Sequence, residues 1–187
     1  MASIKSVAIF CGSKPGFDPA FVSQAESVGS YLADNNIALV YGGANSGLMG
    51  AVATSALRNG GEVIGVMPTA LERSERIHTE LSTLIKVDNL QQRKAKMAEL
   101  SEGFIALPGG TGTLDEMFEM ITLSQMGQHK KPCGFLDTEA FYHTLFVFLE
   151  ELREKGFLHA DYFDMLIKSS EIDSLLNQMN LFAHPHT

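Results

Sequence analysis

Four short apolar runs, Val7–Phe10, Ala38–Tyr41, Val63–Val66 and Phe104–Leu107, each stop at glycine or another turn residue. Runs that are short and uninterrupted belong to strands buried on both faces, as in parallel sheets. Helical patterns at Ala20–Asn35, Leu48–Asn59, Leu90–Glu102 and Leu114–Met126 separate or follow them, and each is long enough to carry the chain back for a parallel neighbour. A strand at Cys133–Leu136 and a helix at Glu139–Lys155 continue the alternation. The order implies an α/β fold: a doubly wound parallel sheet with right-handed crossovers and helices on both faces. Leu84–Val87 offers one more strand, Leu71–Thr83 has no assignable pattern, and a short helix is expected near Ser170–Met179. The end of the chain, 180–187, is expected to fray.

At 187 residues the chain fits one domain, 1–187, and no repeat or linker divides it. With 45% hydrophobic and 19% charged residues it has the composition of an ordinary globular protein. Cys11 and Cys133 are too few for a disulfide framework and sit in or beside core-like runs, which fits a reducing cytoplasm. The start, MASIKSVAIFCGS, holds only four consecutive apolar residues, far short of a signal core or a membrane span. A net charge of −8 argues against a general nucleic-acid or anionic-membrane surface. The two histidines of the closing HPHT make no metal site, and neither a metal nor another cofactor is expected.

In a Rossmann-like sheet of this kind, ligands bind beyond the carboxyl ends of the strands. Three glycine-rich loops take that position: CGSKPGFD, YGGANSGLMG and PGGTGTLDE. Glycine lets backbone N–H groups approach a ligand, and a helix starting there adds partial positive charge, so together the loops describe a phosphate cradle. Any one of them alone reads equally as a tight turn. No Gly-x-x-x-x-Gly-Lys-Ser/Thr occurs, and no loop spells Gly-x-Gly-x-x-Gly, because Asp115 stands in the third glycine's place. P-loop hydrolysis and dinucleotide hydride transfer both lose their main support.

Two readings fit Glu116. Thr113-Leu114-Asp115-Glu116 satisfies the capping-box pattern, with Thr113 as N-cap. The same spacing holds a carboxylate one turn from a bound phosphate, where the reacting carbon of a sugar could lie. Upstream, Arg93, Lys94 and Lys96 cluster in the first turns of a helix, where cations are disfavoured unless an anion meets them. Arg93 or Lys94 therefore invites a phosphate or a carboxylate, with a solvated face as the alternative.

CGSKPG, YGGANSGLMG, GVMP, QRKAKM, PGGTGTLDE and QHKKPCGFL fall in an order and spacing that resemble the LOG ("lonely guy") family of cytokinin riboside 5′-monophosphate phosphoribohydrolases, a family also labelled lysine decarboxylase. The resemblance runs from about Val7 to Phe157. It implies hydrolysis of the N-glycosidic bond of an adenine-type nucleoside 5′-monophosphate to free base and ribose 5-phosphate. Carried over by motif position, Arg93 and Glu116 are the catalytic pair. The implied substrate-binding residues are Gly109, Gly110, Thr111, Gly112 and Thr113 around the phosphate, Gly12 and Ser13 near the nucleotide, Gly42 and Gly43 of the second loop, and Lys94. Met67 and Met97 are expected to help line the pocket. Many relatives have glycine at the place of Ala44 and His-Glu or similar at Gln91-Gln92, and both positions border the expected pocket. These departures bear on base preference, prenylated adenine or AMP itself.

Two other functions compete. A molybdenum-cofactor carrier of the same architecture keeps the anion cradle but has no need of the Arg93–Glu116 pair. A pyridoxal-phosphate decarboxylase needs a Schiff-base lysine, for which Lys94 is the one nominee, and an acidic partner that nothing marks. A homodimer is also expected to cover Phe141, Leu145, Phe146, Phe148, Leu149 and Leu152, which exceed one helical stripe, with burial against the chain's own sheet as the alternative.

Overall fold

A computed structural model describes residues 3–71 and 77–183. Seven strands run through it: β1 (Ser6–Phe10), β2 (Ala38–Tyr41), β3 (Val63–Pro68), β4 (Thr83–Val87), β5 (Gly103–Ala106), β6 (Cys133–Leu136) and β7 (Leu166–Ser169). The helices are α1 (Pro19–Asp34), α2 (Gly47–Arg58), α3 (Leu90–Leu100), α4 (Thr111–Gln125), α5 (His143–Glu154), α6 (Ala160–Asp164) and α7 (Ile172–Ala183). All pairings are parallel, in the order β4-β3-β2-β1-β5-β6-β7.

Alternation along the strands divides the core in two. Val7 and Ile9 of β1 face one layer with Leu39, Tyr41 and the buried stripes of α1, α2 and α7. Ala8 and Phe10 face the other with Phe104, Phe135, Met97 of α3 and Met117 and Met120 of α4. Helices therefore cover both faces, which is why the central strands read as unbroken apolar runs. Sheet order reverses at β1, whose neighbours are β2 on one side and β5 on the other. A crevice opens where the connections leave β1 and β5 in opposite directions, the usual ligand position in such sheets.

Leu84–Val87 forms the strand offered for it, as part of β4, at the sheet edge and mostly exposed. Other elements differ from their sequence patterns. The pattern at Glu139–Lys155 is interrupted: Glu139 and Ala140 take positive φ (52° and 55°), and α5 starts only at His143. Asp137 accepts a hydrogen bond from Tyr142 N at 2.6 Å, which holds this corner closed before the helix begins. The tail contributes a seventh strand, β7, and a short helix, α6, that its pattern does not announce. The ending HPHT and residues 72–76 of the unassigned stretch lie outside the described residues.

Candidate active site

The helix that follows the third glycine loop starts earlier than its sequence implies. Gly110 is the N-cap and Thr111 opens α4, so Thr113 is the third helical residue and is buried. Glu116 consequently lies in the second turn and the capping-box reading of Thr113 and Glu116 does not hold. The glycines allow this: with no side chain at Gly110 or Gly112, the chain enters the helix without a polar cap. A Cβ at either residue would meet no other atom within 4 Å. The N–H groups of this first turn have no partner within the helix.

Around that helix start is a cleft of about 580 Å³, within the range of small-molecule sites. Its floor is backbone. Gly12 N donates to Pro108 O and Gly12 O accepts from Leu48 N, each at 3.0 Å, tying the first loop to the other two. At Gly109 a Cβ would overlap Thr113 Oγ1, so the loop can close on the helix only with glycine there. Its lining includes polar side chains, Arg93, Lys94, Asp115 and Glu116, and apolar ones, Met49, Leu90, Phe21 and Phe141. Phe21 and Phe141 meet edge to face, centroids 5.7 Å apart.

Arg93 and Glu116 come together in this cleft, Nη1 to Oε1 at 3.6 Å, with side chains 10% and 15% exposed. Asn89 caps α3 by accepting from Gln92 N at 2.9 Å, which places Arg93 at the end of the first turn. Its guanidinium lies over Gly42, where a Cβ would overlap Nη2. Arg93 Nε is buried and has no hydrogen-bond partner among the described residues. Lys94 is also buried, but Asp115 (3.0 Å) and Glu119 take its ammonium. Burial alone would lower the Lys94 pKa; hydrogen bonds to Glu119 and Asp115 outweigh it and raise the pKa above the ordinary lysine value. The solvated face expected as the alternative for Arg93 and Lys94 is not what forms; Lys96, paired with Glu99 at 2.9 Å, occupies it. Cys11, at the cleft floor, is pushed well above the usual thiol range by burial and by Glu116, with Arg93 opposing, so it is a neutral thiol and no nucleophile.

Of the residues singled out in the sequence, Gly12, Ser13, Gly42, Arg93, Lys94, Gly109, Gly110, Thr111, Gly112, Thr113 and Glu116 line this one cleft. Met67 and Met97 do not: both are fully buried in the core, on opposite sides of the sheet. Gly43 is also outside the lining, its φ of +83° turning the chain so that its carbonyl accepts from His78 N at 3.0 Å. Ala44 pairs with Ile77, and the Gln92 side chain accepts from Asp88 N at 2.9 Å, so neither borders the cleft as expected. Gln91 is likewise absent from its lining. Asp115, Met49, Leu90, Phe21 and Phe141 line the cleft without having been expected there. Only Asp115 carried a signal, as a carboxylate beside Glu116. The described residues contain no group of three or more His, Cys, Asp or Glu side chains that could hold a metal ion. They include no helix long and apolar enough to cross a membrane.

Comparison with known proteins adds the following. A family model described as "possible lysine decarboxylase" matches residues 49–179. A cytokinin riboside 5′-monophosphate phosphoribohydrolase of Rhodococcoides fascians is 44% identical over 155 residues, 82% of this chain and 78% of the relative. One of Arabidopsis thaliana is 36% identical over 185 residues, 99% of this chain and 87% of its own. Among solved structures, the molybdenum-cofactor carrier protein of Chlamydomonas reinhardtii superposes with a TM-score of 0.70 at 18% identity, covering 97% of this chain and 98% of its own. The molybdenum cofactor binding protein of Rippkaea orientalis gives 0.68 at 20% identity, covering 95% and 96%. At these identities the two structures speak to the fold alone.

Proposed function

The chain belongs to the cytokinin riboside 5′-monophosphate phosphoribohydrolase family, and from that membership we propose that its cleft hydrolyses the N-glycosidic bond of adenine-type nucleoside 5′-monophosphates, releasing the base and ribose 5-phosphate. The observation that carries this reading is the Arg93–Glu116 pair, set 3.6 Å apart beside the open first turn of α4.

The phosphate sits on the first turn of α4, over Gly110, Thr111 and Gly112, where unpaired N–H groups and the helix dipole favour an anion. The base then turns to the apolar wall of Phe21, Phe141, Leu90 and Met49, whose aromatic rings suit a flat heterocycle. Between them the ribose C1′ comes to Glu116. As the glycosidic bond breaks, positive charge develops on the sugar. Glu116 stabilises it and orients the attacking water. A guanidinium has no proton to give at neutral pH, so Arg93 serves as an anchor, for the phosphate and for the Glu116 carboxylate, rather than as an acid.

Base choice follows from this wall: both AMP and its prenylated form are substrates in this reading. The setting we propose is cytoplasmic, in keeping with two free, buried thiols, Cys11 and Cys133. A Schiff base at Lys94 is disfavoured, because its amine is held protonated by two carboxylates.

Release of free base from AMP, prenylated AMP, dAMP, GMP and CMP, by wild type and by Glu116→Gln, tests the proposal. Glutamine keeps the shape and deletes the charge, and is expected to lower turnover of adenine nucleotides by about 10²-fold or more at unchanged stability. If no nucleotide is cleaved, or the variant works as well as wild type, a carrier of the same architecture is the better reading.

A further inference from the structure

Helix α4 presents three carboxylates in less than two turns, Asp115, Glu116 and Glu119, and α3 presents two cations to them, Arg93 and Lys94. Such a cluster has more than one way of pairing, and only one leaves a guanidinium on the carboxylate that faces the sugar. In the structure the pairing is divided. Lys94 takes Asp115 and Glu119, and Arg93 takes Glu116.

We propose that Lys94 is a positioning residue: by occupying Asp115 and Glu119 it reserves Arg93 for Glu116 and the substrate. The proposal rests on the reading above, in which Arg93 and Glu116 carry the reaction. Three observations support it. The Lys94 side chain is only 10% exposed and its ammonium bridges α3 to α4, meeting Asp115 and Glu119 where these are 67% and 36% exposed. Lys94 is the only ion-pair partner of Asp115 and Glu119 among the described residues. One ammonium facing two carboxylates leaves the group net negative, which makes Lys94 a poor ligand for a phosphate although it lines the cleft.

Removing the ammonium would leave two carboxylates unpaired on the stretch of α4 that also carries Glu116, the partner of Arg93. A guanidinium pairs best in a bidentate fork, and its contact with Glu116 is long at 3.6 Å, so Asp115 and Glu119 would compete for it. The same reasoning makes Lys94→Arg a conservative change, since the positive charge stays between the two helices.

Steady-state kinetics on AMP and crystal structures of Lys94→Met, Lys94→Arg and the triple variant Lys94→Met/Asp115→Asn/Glu119→Gln decide the matter. For Lys94→Met, kcat is expected to fall by about 10- to 100-fold, the range that misplacement of a catalytic group produces, with KM within about threefold. Its crystal structure should show the guanidinium moved off Glu116. Lys94→Arg and the triple variant, which has no carboxylate left to misdirect Arg93, should each regain about tenfold or more over Lys94→Met. The triple variant buries no unpaired charge, which guards against a folding defect being read as a catalytic one. The proposal is overturned if Lys94→Met raises KM and leaves kcat intact, as a phosphate ligand would. It is equally overturned if Arg93 stays on Glu116 in that crystal structure, or if the triple variant is no faster than Lys94→Met. If wild type cleaves no nucleotide, the functional reading falls, and the position of Arg93 in the Lys94→Met crystal still decides what Lys94 does.

Discussion

At the scale of single residues, Gly42 shows how a motif glycine can serve a side chain rather than a ligand. Its loop reads in sequence as one of three phosphate-binding turns, and it does line the cleft. What lies against its missing Cβ, however, is the guanidinium of Arg93 together with Cε of Met49. A methyl group there cannot coexist with Arg93 in its present place, so Gly42→Ala should push the guanidinium away from Glu116. We expect kcat/KM to drop by about 10²-fold, with overpacking that costs about 1–3 kcal/mol of stability. Kinetics alongside thermal melts check this; activity within a few-fold of wild type would mean that Arg93 has room to spare. Glu116 illustrates a limit of the same kind. Local spelling supports a capping box, and only the observation that α4 begins at Thr111, on a bare glycine cap, removes that reading.

At the scale of elements, strands buried on both faces and long amphipathic helices were legible, because burial on both sides leaves an uninterrupted apolar run. Of the edge strands, β4 was offered by Leu84–Val87 without a full pattern and β7 was not foreseen. β4 is exposed along most of its length, and β7 contains one buried residue, Ile167, so neither shows the signature of the centre. The break before α5 was hidden too, since Glu139 and Ala140 carry no mark of positive φ. Functionally the decisive element is the start of α4, where openness and stability pull in opposite directions. Gly112 is the second residue of the helix, its φ is not positive, and a Cβ there meets no protein atom within 4 Å. Alanine is a better helix former, so Gly112→Ala should hold stability or raise it by about 0.5–1 kcal/mol. The added methyl sits at the lip of the anion cradle, and inhibition by inorganic phosphate should weaken by about threefold or more, an estimate from the loss of one backbone hydrogen bond. Unchanged inhibition would place the phosphate elsewhere in the cleft.

For the whole molecule, the site is assembled from segments far apart in the chain, and Phe141 is the member that no local pattern could supply. It reaches the cleft through the corner after β6 and its contact with Phe21. Immediately beyond it, α5 turns an apolar strip outward. Leu149 is buried and Leu145, Phe146 and Leu152 are half-buried against the domain, whereas Phe141, Val147 and Phe148 stay exposed, at 42%, 56% and 53%. Ion pairs follow that strip toward the C-terminal end of α5, Arg153 with Glu150 and Lys155 with Glu151. We propose that a second copy of the chain covers it, since an isologous contact along one helix would bury the same exposed residues from both sides. Light scattering at micromolar concentration should then give the mass of a dimer, and Phe148→Asp that of a monomer, because an aspartate at the centre of the contact would be desolvated without a partner. As Phe141 belongs to both the exposed strip and the cleft, the monomeric variant should also bind its nucleotide more weakly, with KM raised and the melting temperature little changed. A wild-type monomer would remove the interface, and a monomeric variant with wild-type KM would separate it from the site.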